Sequence, residues 1–286
     1  LLQTFANQAA LAIQRAGLFE DLRAKIAQLE AAQVELAQKE RMEHELALAR
    51  QVQQSVLPRV FPVVPGYAFA AHNEPARQVG GDFYDVFRVD EHCFGLVIAD
   101  VSDKGMPAAL YMGLTRSLIL AEARRECSPQ AVLSNVNRLL LELGDSRMFV
   151  TVFYGVVDAR TKRLVYVRAG HDRPLLLRGD QISSLGGQGT FLGVFEPEAL
   201  RLTEEWIDLQ PGDRLVLYTD GLTDVFTSEG QLFSLAHLKQ LLQDCGGCAL
   251  QTFCDAVFEN LAAYRGSTDQ FDDMTMLVMQ VERESQ

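Results

Sequence analysis

Phe94-Gly95-Leu96-Val97-Ile98-Ala99-Asp100-Val101-Ser102-Asp103-Lys104-Gly105 is an apolar run that closes on acidic, basic and glycine residues. A run this short, bounded by turn formers, reads as a buried strand. Its end places Asp100 where the chain leaves the core, and a carboxylate cannot be buried there unpaired without a large cost. The same texture recurs outward in both directions. Strands are predicted over 67–73, 82–89, 94–101, 149–158, 164–169, 175–178, 201–208, 214–219 and 274–281, and helices over 107–126, 129–143, 235–243 and 250–264. Strands come in runs with helices grouped between them, so the fold class is α+β with mainly antiparallel sheets rather than a doubly wound parallel one.

Residues 1–57 have a different character. They hold a single glycine, Gly17, and no proline, and they are rich in the helix formers Ala, Leu, Gln, Glu and Arg. Leu18, Leu22, Leu29 and Leu36 mark a coiled-coil seam, diluted by Lys25, Ala32 and Lys39. The phase restarts at Met42, Leu46, Ala49 and Val56, an offset that reads as a stutter. One continuous helix here would be about 80 Å long, and a single chain could not bury its apolar stripe. A solvated surface helix and a parallel dimeric linker both fit, and the seam favours the linker. Pro58, Pro62 and Pro65 end the helix. The sequence starts at Leu1, which reads as a piece of a longer chain.

Composition bounds the function. The 286 residues are 48% hydrophobic and 22% charged, enough for a sizeable core. Acidic residues outnumber basic ones by 38 to 26, a net charge of −12, which argues against nucleic-acid binding or docking on an anionic membrane. No apolar run approaches the ~18–20 residues of a membrane span. The five cysteines are an odd, scattered set, as in a reduced cytoplasmic protein. Cys245-Gly-Gly-Cys248 has redox or half-zinc spacing, but without a second such pair it reads as a loop between helices.

The informative feature is aspartate beside predicted strands: Asp82 and Asp85 in Gly80-Gly81-Asp82-Phe83-Tyr84-Asp85, Asp100 and Asp103, Asp220 and Asp224 in Asp220-Gly221-Leu222-Thr223-Asp224, and Asp272-Asp273 before Met274. Any one Asp–Gly pair is a common turn former, so a structural reading stays open for each. Carboxylates converging without basic partners repel one another unless a cation lies between them. All-oxygen ligation selects Mg²⁺ or Mn²⁺ over zinc, and hydrolysis is the natural use of such a site.

These residues also carry a resemblance. Ala49-Arg50-Gln51-Val52-Gln53-Gln54-Ser55-Val56-Leu57-Pro58, then Pro75-Ala76-Arg77-Gln78-Val79-Gly80-Gly81-Asp82-Phe83-Tyr84-Asp85, resemble the start of a bacterial SpoIIE-type phosphatase domain. So do Asp100-Val101-Ser102-Asp103-Lys104-Gly105-Met106-Pro107-Ala108-Ala109-Leu110, Ala169-Gly170-His171, Tyr218-Thr219-Asp220-Gly221-Leu222-Thr223-Asp224 and Asp272-Asp273-Met274-Thr275. This RsbU-like branch belongs to the metal-dependent Ser/Thr phosphatases (PPM, or type 2C). The resemblance covers 46–282, and residues 1–24 are more distantly similar to the closing helix of a GAF sensor domain.

The resemblance implies an α-β-β-α sandwich with a long N-terminal helix. It divides the chain into a coiled-coil linker, 1–45, and a phosphatase domain, 46–282, that includes a regulatory helix, 46–57. It implies two Mg²⁺ or Mn²⁺ ions per site, held by Asp82, Asp100, the Val101 carbonyl, Asp220 and Asp272, with Asp273 the alternative to Asp272, and metal-activated water attacking phosphorus. Asp85, Asp103 and Asp224 fill supporting or third-metal positions, Arg77 is either a phosphate holder or, as the better fit, a surface loop residue, and His171 is either a general acid or a loop-fixing residue. Implied partners are an upstream sensor in the same chain, a second copy through the N-terminal helix, and a phosphorylated STAS-domain anti-sigma-factor antagonist as substrate. The rival reading is a catalytically silent pseudophosphatase acting as a dimeric interaction module. A hydrolase of small phosphoesters is a third, and it would need a pocket for one ligand.

Overall fold

A computed structural model of the chain describes residues 2–58, 60–143 and 148–283. Helix α1, Leu2–Val56, is 55 residues long and ends two residues before Pro58. The chain divides into two units, Leu1–Ala49 and Arg50–Gln286. In the first unit the seam lies bare: Leu18, Leu29 and Leu36 are 65%, 64% and 56% exposed.

The second unit is a sandwich of two five-stranded sheets. One sheet has the order β1-β10-β9-β6-β7, with β1 Tyr67–Glu74, β6 Leu175–Arg178, β7 Gln181–Ser184, β9 Arg214–Tyr218 and β10 Met274–Val281. The other has the order β2-β3-β4-β5-β8, with β2 Phe83–Arg88, β3 Cys93–Val101, β4 Val150–Asp158, β5 Arg163–Ala169 and β8 Glu204–Asp208. Every pairing of these strands is antiparallel.

Four helices complete the layers. Helices α2, Met106–Ala123, and α3, Pro129–Leu143, pack on the β2–β8 sheet through a core that includes Met112, Ile119, Leu133 and Leu140. Helices α4, Leu235–Asp244, and α5, Leu250–Arg265, cover the other sheet through Leu238, Leu242, Phe253 and Val257. Between the sheets lie Phe94, Leu96, Ile98, Phe153, Leu217 and Leu277. The central strands are apolar on both faces because each sheet is covered twice, which is why 94–99 reads as a continuous apolar run rather than an alternation. The α-β-β-α expectation is met.

Several element ends shift by a residue or two, α2 ends at Ala123 rather than 126, and three further details differ from the sequence reading. Strand β7 is absent from it, because its polar residues at a sheet edge carry no burial signal beyond the Gly179-Asp180 turn. Strand β8 starts at Glu204 rather than 201, with Leu202 making only an isolated bridge to Gly189. Strand β9 stops at Tyr218, and Asp220–Leu222 turn as a short 3-10 helix. Cys245 and Cys248 lie in a turn between α4 and α5 as expected, closed by the Cys248 N–H to the Cys245 carbonyl at 3.0 Å. Among the described residues, no helix is long and apolar enough to cross a membrane.

Candidate active site

Four predicted metal-site positions lie at corresponding ends of the two sheets. Asp82 immediately precedes β2 and Asp100 is the penultimate residue of β3; Asp220 follows β9 and Asp272 precedes β10. Antiparallel pairing brings the members of each pair together, since Phe83 faces Ala99 and Met276 faces Tyr218. The packing of one sheet on the other does the rest.

Charge records how close they come. Burial holds the Asp82 carboxyl well above the usual carboxylate range, and the charges of Asp100 and Asp273 push it further up. Burial, then Asp220, lifts Asp100 to about 7, with Asp272 and Asp273 adding to it. Asp220 rises to about 6 through burial, Asp272, Asp172 and Asp224. Asp224 is raised by burial and by Asp272. Burial is the largest cause in each case, and the neighbouring carboxylates add to it, as expected where negative charge is gathered with too little compensation.

Lys104 supplies some of it. Its Nζ is 3.0 Å from Asp272 Oδ2 and donates to the Phe271 carbonyl at 2.6 Å. The sequence reading expected no basic partner at the cluster. Lys104 reaches it because Asp103, at a left-handed φ of 77°, turns the loop after β3 back toward Asp272.

Asp273 behaves differently from its neighbour. Its oxygens accept the N–H groups of Ala76 and Gly81, each at 2.7 Å, so this carboxylate fastens the loop before β2. The approach is so close that a Cβ on Gly80 would lie 2.2 Å from Asp273 Oδ2, and only glycine fits. The same loop is gripped from α1. Gln53 donates through Nε2 to the Gly80 carbonyl at 2.5 Å and accepts the Gly80 N–H at 3.2 Å.

The remaining candidates are distributed as follows. Val101 is buried, and its carbonyl would lie 2.8 Å from a Cβ on Gly81. Asp85 is buried against Arg116 of α2, which donates to its Oδ2. Asp103 and Arg77 are exposed, and no hydrogen bond or ion pair joins Arg77 to the cluster among the described residues. His171 is buried beneath the site. Its Nε2 lies 3.1 Å from the Tyr218 carbonyl and its Nδ1 2.9 Å from Thr151 Oγ1. Burial pushes its pKa down to about 4, so near pH 7 it is neutral, with Nε2 the donor to the carbonyl.

Sequence reasoning missed Asp172, Thr219, Thr275 and Lys104. Thr219 and Thr275 each donate to Asp82 Oδ2, at 2.7 and 2.6 Å. Thr219, Thr275 and Lys104 stood inside the quoted motifs, but a hydroxyl or an ammonium near an aspartate gives no signal until the fold shows where it points.

The donor set suits hard divalent cations: it is carboxylates and one carbonyl, with no thiolate or imidazole in it among the described residues. Among the described residues no three acidic, His or Cys groups close on one point as a ready-made cage. Mg²⁺-type sites tolerate that, because the ion keeps several waters and takes one or two carboxylates directly. A cavity of about 480 Å³ lies elsewhere, beside Cys93 and Cys127, at the opposite end of β3 from Asp100.

Comparison with known proteins gives the same direction. The family model described as Stage II sporulation protein E (SpoIIE) matches residues 90–282. Protein IcfG of Synechocystis is 32% identical over 263 residues, which is 82% of this chain and 41% of that protein. Phosphoserine phosphatase RsbU of Bacillus subtilis is 28% identical over 237 residues, 82% of this chain and 69% of that protein. The solved SiaA-PP2C domain of Pseudomonas aeruginosa matches with a TM-score of 0.76 at 22% identity, covering 85% of this chain and 98% of that one, a likeness of fold.

Proposed function

The chain belongs to the SpoIIE family of PP2C-type phosphatase domains, and on that premise we propose that it is a Mg²⁺- or Mn²⁺-dependent protein Ser/Thr phosphatase. The observation that carries this reading is the placing of Asp82, Asp100, Asp220 and Asp272 at sheet ends that pack together, where burial and neighbouring carboxylates raise Asp82, Asp100 and Asp220. Asp82, Asp100, Asp220 and Asp272 hold the ions, joined by the Val101 carbonyl. Asp273 anchors the loop before β2 instead. Bound there, divalent ions supply Lewis acidity toward water and toward the phosphoryl oxygens.

The residues of the chain do the rest. Lys104 orients Asp272 and keeps a positive charge at the mouth, while Asp273 and Gln53 hold the loop that sets the Asp82 position. Lys104 and Asp272 are partly exposed, which suits a phosphoserine presented on a protein surface. The similarity to the phosphoserine phosphatase RsbU supports that substrate class, and the protein that bears it is, in this reading, a STAS-domain anti-sigma-factor antagonist. The bare seam of 1–49 supports dimerisation through the N-terminal helix. Residues 50–57 form the regulatory contact, because a shift of Gln53 moves Gly80 and with it Asp82.

Phosphate release from a phosphoserine-bearing STAS-domain protein tests the reading. Release with Mn²⁺ that stops with chelator is expected. Release that persists in chelator, or none despite normal Mn²⁺ binding and a panel of such substrates, would contradict it.

Two further expectations follow from the titrating groups. With pKa values near 7 and 6 against about 3.8 unfolded, folded Asp100 and Asp220 hold more protons than the unfolded chain between pH 4 and 7. The stability of the metal-free protein therefore falls as pH rises through that window, by the order of a few kcal/mol. Thermal melts in chelator at pH 5 and pH 8 measure it. Mn²⁺ should restore more stability at pH 8, and a metal-free profile as steep in Asp100→Asn as in the parent would contradict the assignment.

His171, neutral and doubly hydrogen-bonded, is a loop-fixing residue. His171→Ala should cost about 1–3 kcal/mol of stability by orphaning Thr151 and the Tyr218 carbonyl. It should leave phosphate release within about tenfold of the parent, short of the 10²–10⁴-fold of a lost general acid. A larger loss of turnover in a protein of unchanged stability would restore the acid role.

A further inference from the structure

The two hydroxyls on Asp82 form a directed relay. Asn73 Nδ2, on β1, donates to Thr275 Oγ1 at 2.7 Å. The Thr275 N–H, on β10, donates to Thr219 Oγ1 at 3.1 Å. Each hydroxyl thus has an incoming donor, and its one hydrogen is left for Asp82 Oδ2, at 2.6 Å from Thr275 and 2.7 Å from Thr219. The competing acceptor for Thr219, the Asp273 carbonyl, is farther, at 3.4 Å. Thr219 and Thr275 are fully buried, so water cannot replace either bond.

Both hydroxyls fall on the same oxygen. Oδ2 is filled by the two hydroxyls, while Oδ1 receives no hydroxyl or amide among the described residues. The one further side chain among them within hydrogen-bonding reach of the Asp82 carboxyl is Asp100, itself a proposed ligand. A carboxylate so held has a fixed rotation about its own axis and one oxygen to offer. Thr275 lies on β10 and Thr219 directly follows β9 of one sheet, whereas Asp82 leads into β2 of the other.

Resting on the metal-dependent reading above, we propose that Thr219 and Thr275 are positioning residues that make Asp82 a one-oxygen ligand, through Oδ1, and so set the affinity of the site for its divalent ion. Asn73 acts one bond further out, by aiming the Thr275 hydroxyl. Outer hydrogen bonds of this kind orient ligands, and their removal typically weakens metal binding 10–100-fold.

The test is Mn²⁺ binding by calorimetry, with circular dichroism confirming the fold. Thr275→Val keeps the shape and removes the donor, and its Kd is expected to rise about tenfold or more. Thr275→Ser, which restores the hydroxyl, should stay within about threefold of the parent. A merely structural threonine would lower the melting temperature without this split between Val and Ser. Thr219→Val should behave as Thr275→Val does. Folded Val variants with the parent's affinity would overturn the proposal. If burial keeps the Val variants from folding, Asn73→Ala, at a half-buried position, decides the matter: weaker Mn²⁺ binding supports the relay and unchanged binding overturns it. A parent chain that binds no Mn²⁺ would overturn the metal reading itself, and that result is seen before any variant is made.

Discussion

Asp100→Asn is expected to lose phosphate release altogether while the metal-free protein becomes more stable. The two effects share one cause. Asp100 is raised to about 7 by burial and by Asp220, Asp272 and Asp273, so its ionised form is destabilising without a cation. Asparagine keeps the shape and removes the charge, which relieves the repulsion. It also removes a carboxylate from the centre of the set, and the loss should exceed the roughly 10–100-fold of an outer hydrogen bond. A gain in stability paired with a loss of function is what an active site built on strain predicts. Melting in chelator at pH 8 and phosphate release with Mn²⁺ measure the pair. A variant that is less stable than the parent in chelator, or that retains turnover, would show that Asp100 does not sit in uncompensated charge.

Gly221→Ala should be nearly as damaging, for steric reasons. A Cβ there would lie 2.0 Å from the Asp273 carbonyl oxygen and 2.8 Å from its carbon, both backbone atoms that cannot swing away. Either the turn carrying Asp220 or the segment carrying Asp272 must move. Forcing extra volume into such a contact costs about 1–3 kcal/mol, and the displacement falls directly on two proposed ligands. Mn²⁺ affinity and phosphate release should both collapse in a protein that still folds. Gly113→Ala is the control, because nothing lies within 4 Å of its Cβ and it sits inside α2. That change should leave activity alone and add about 1 kcal/mol of stability from helix propensity. Equal behaviour of the two variants would contradict the account.

Much of this was legible in the residues. The apolar run 94–101 marked a buried strand, the grouping of strands and helices gave α+β with antiparallel sheets, the family resemblance supplied the layer order, and Asp82, Asp100, Asp220 and Asp272 stood out by lying next to strands. What stayed hidden was partnership across long separations. Thr275 and Asp82 are 193 residues apart, and Gly81 and Asp273 are 192 apart. Periodicity speaks only of a residue's own element and cannot pair such positions. The motif resemblance favoured Asp272 over Asp273, but the physical difference between them was hidden too. Two adjacent carboxylates differ only in that one meets an ammonium at the cleft and the other meets backbone amides beneath it. Lys104 was hidden by its own motif, since a lysine between Asp103 and Gly105 reads as a solvated turn residue.

The central claim is that the carboxylates where the two sheets meet form a divalent metal centre. Anomalous X-ray scattering from crystals soaked in Mn²⁺ tests it most directly. The account predicts anomalous density between Asp82, Asp100, Asp220 and Asp272, with Asp82 contributing Oδ1 and with Asp273 still on the amides of Ala76 and Gly81. Crystals saturated with Mn²⁺ that show no density there, or show it on Asp273, would contradict it.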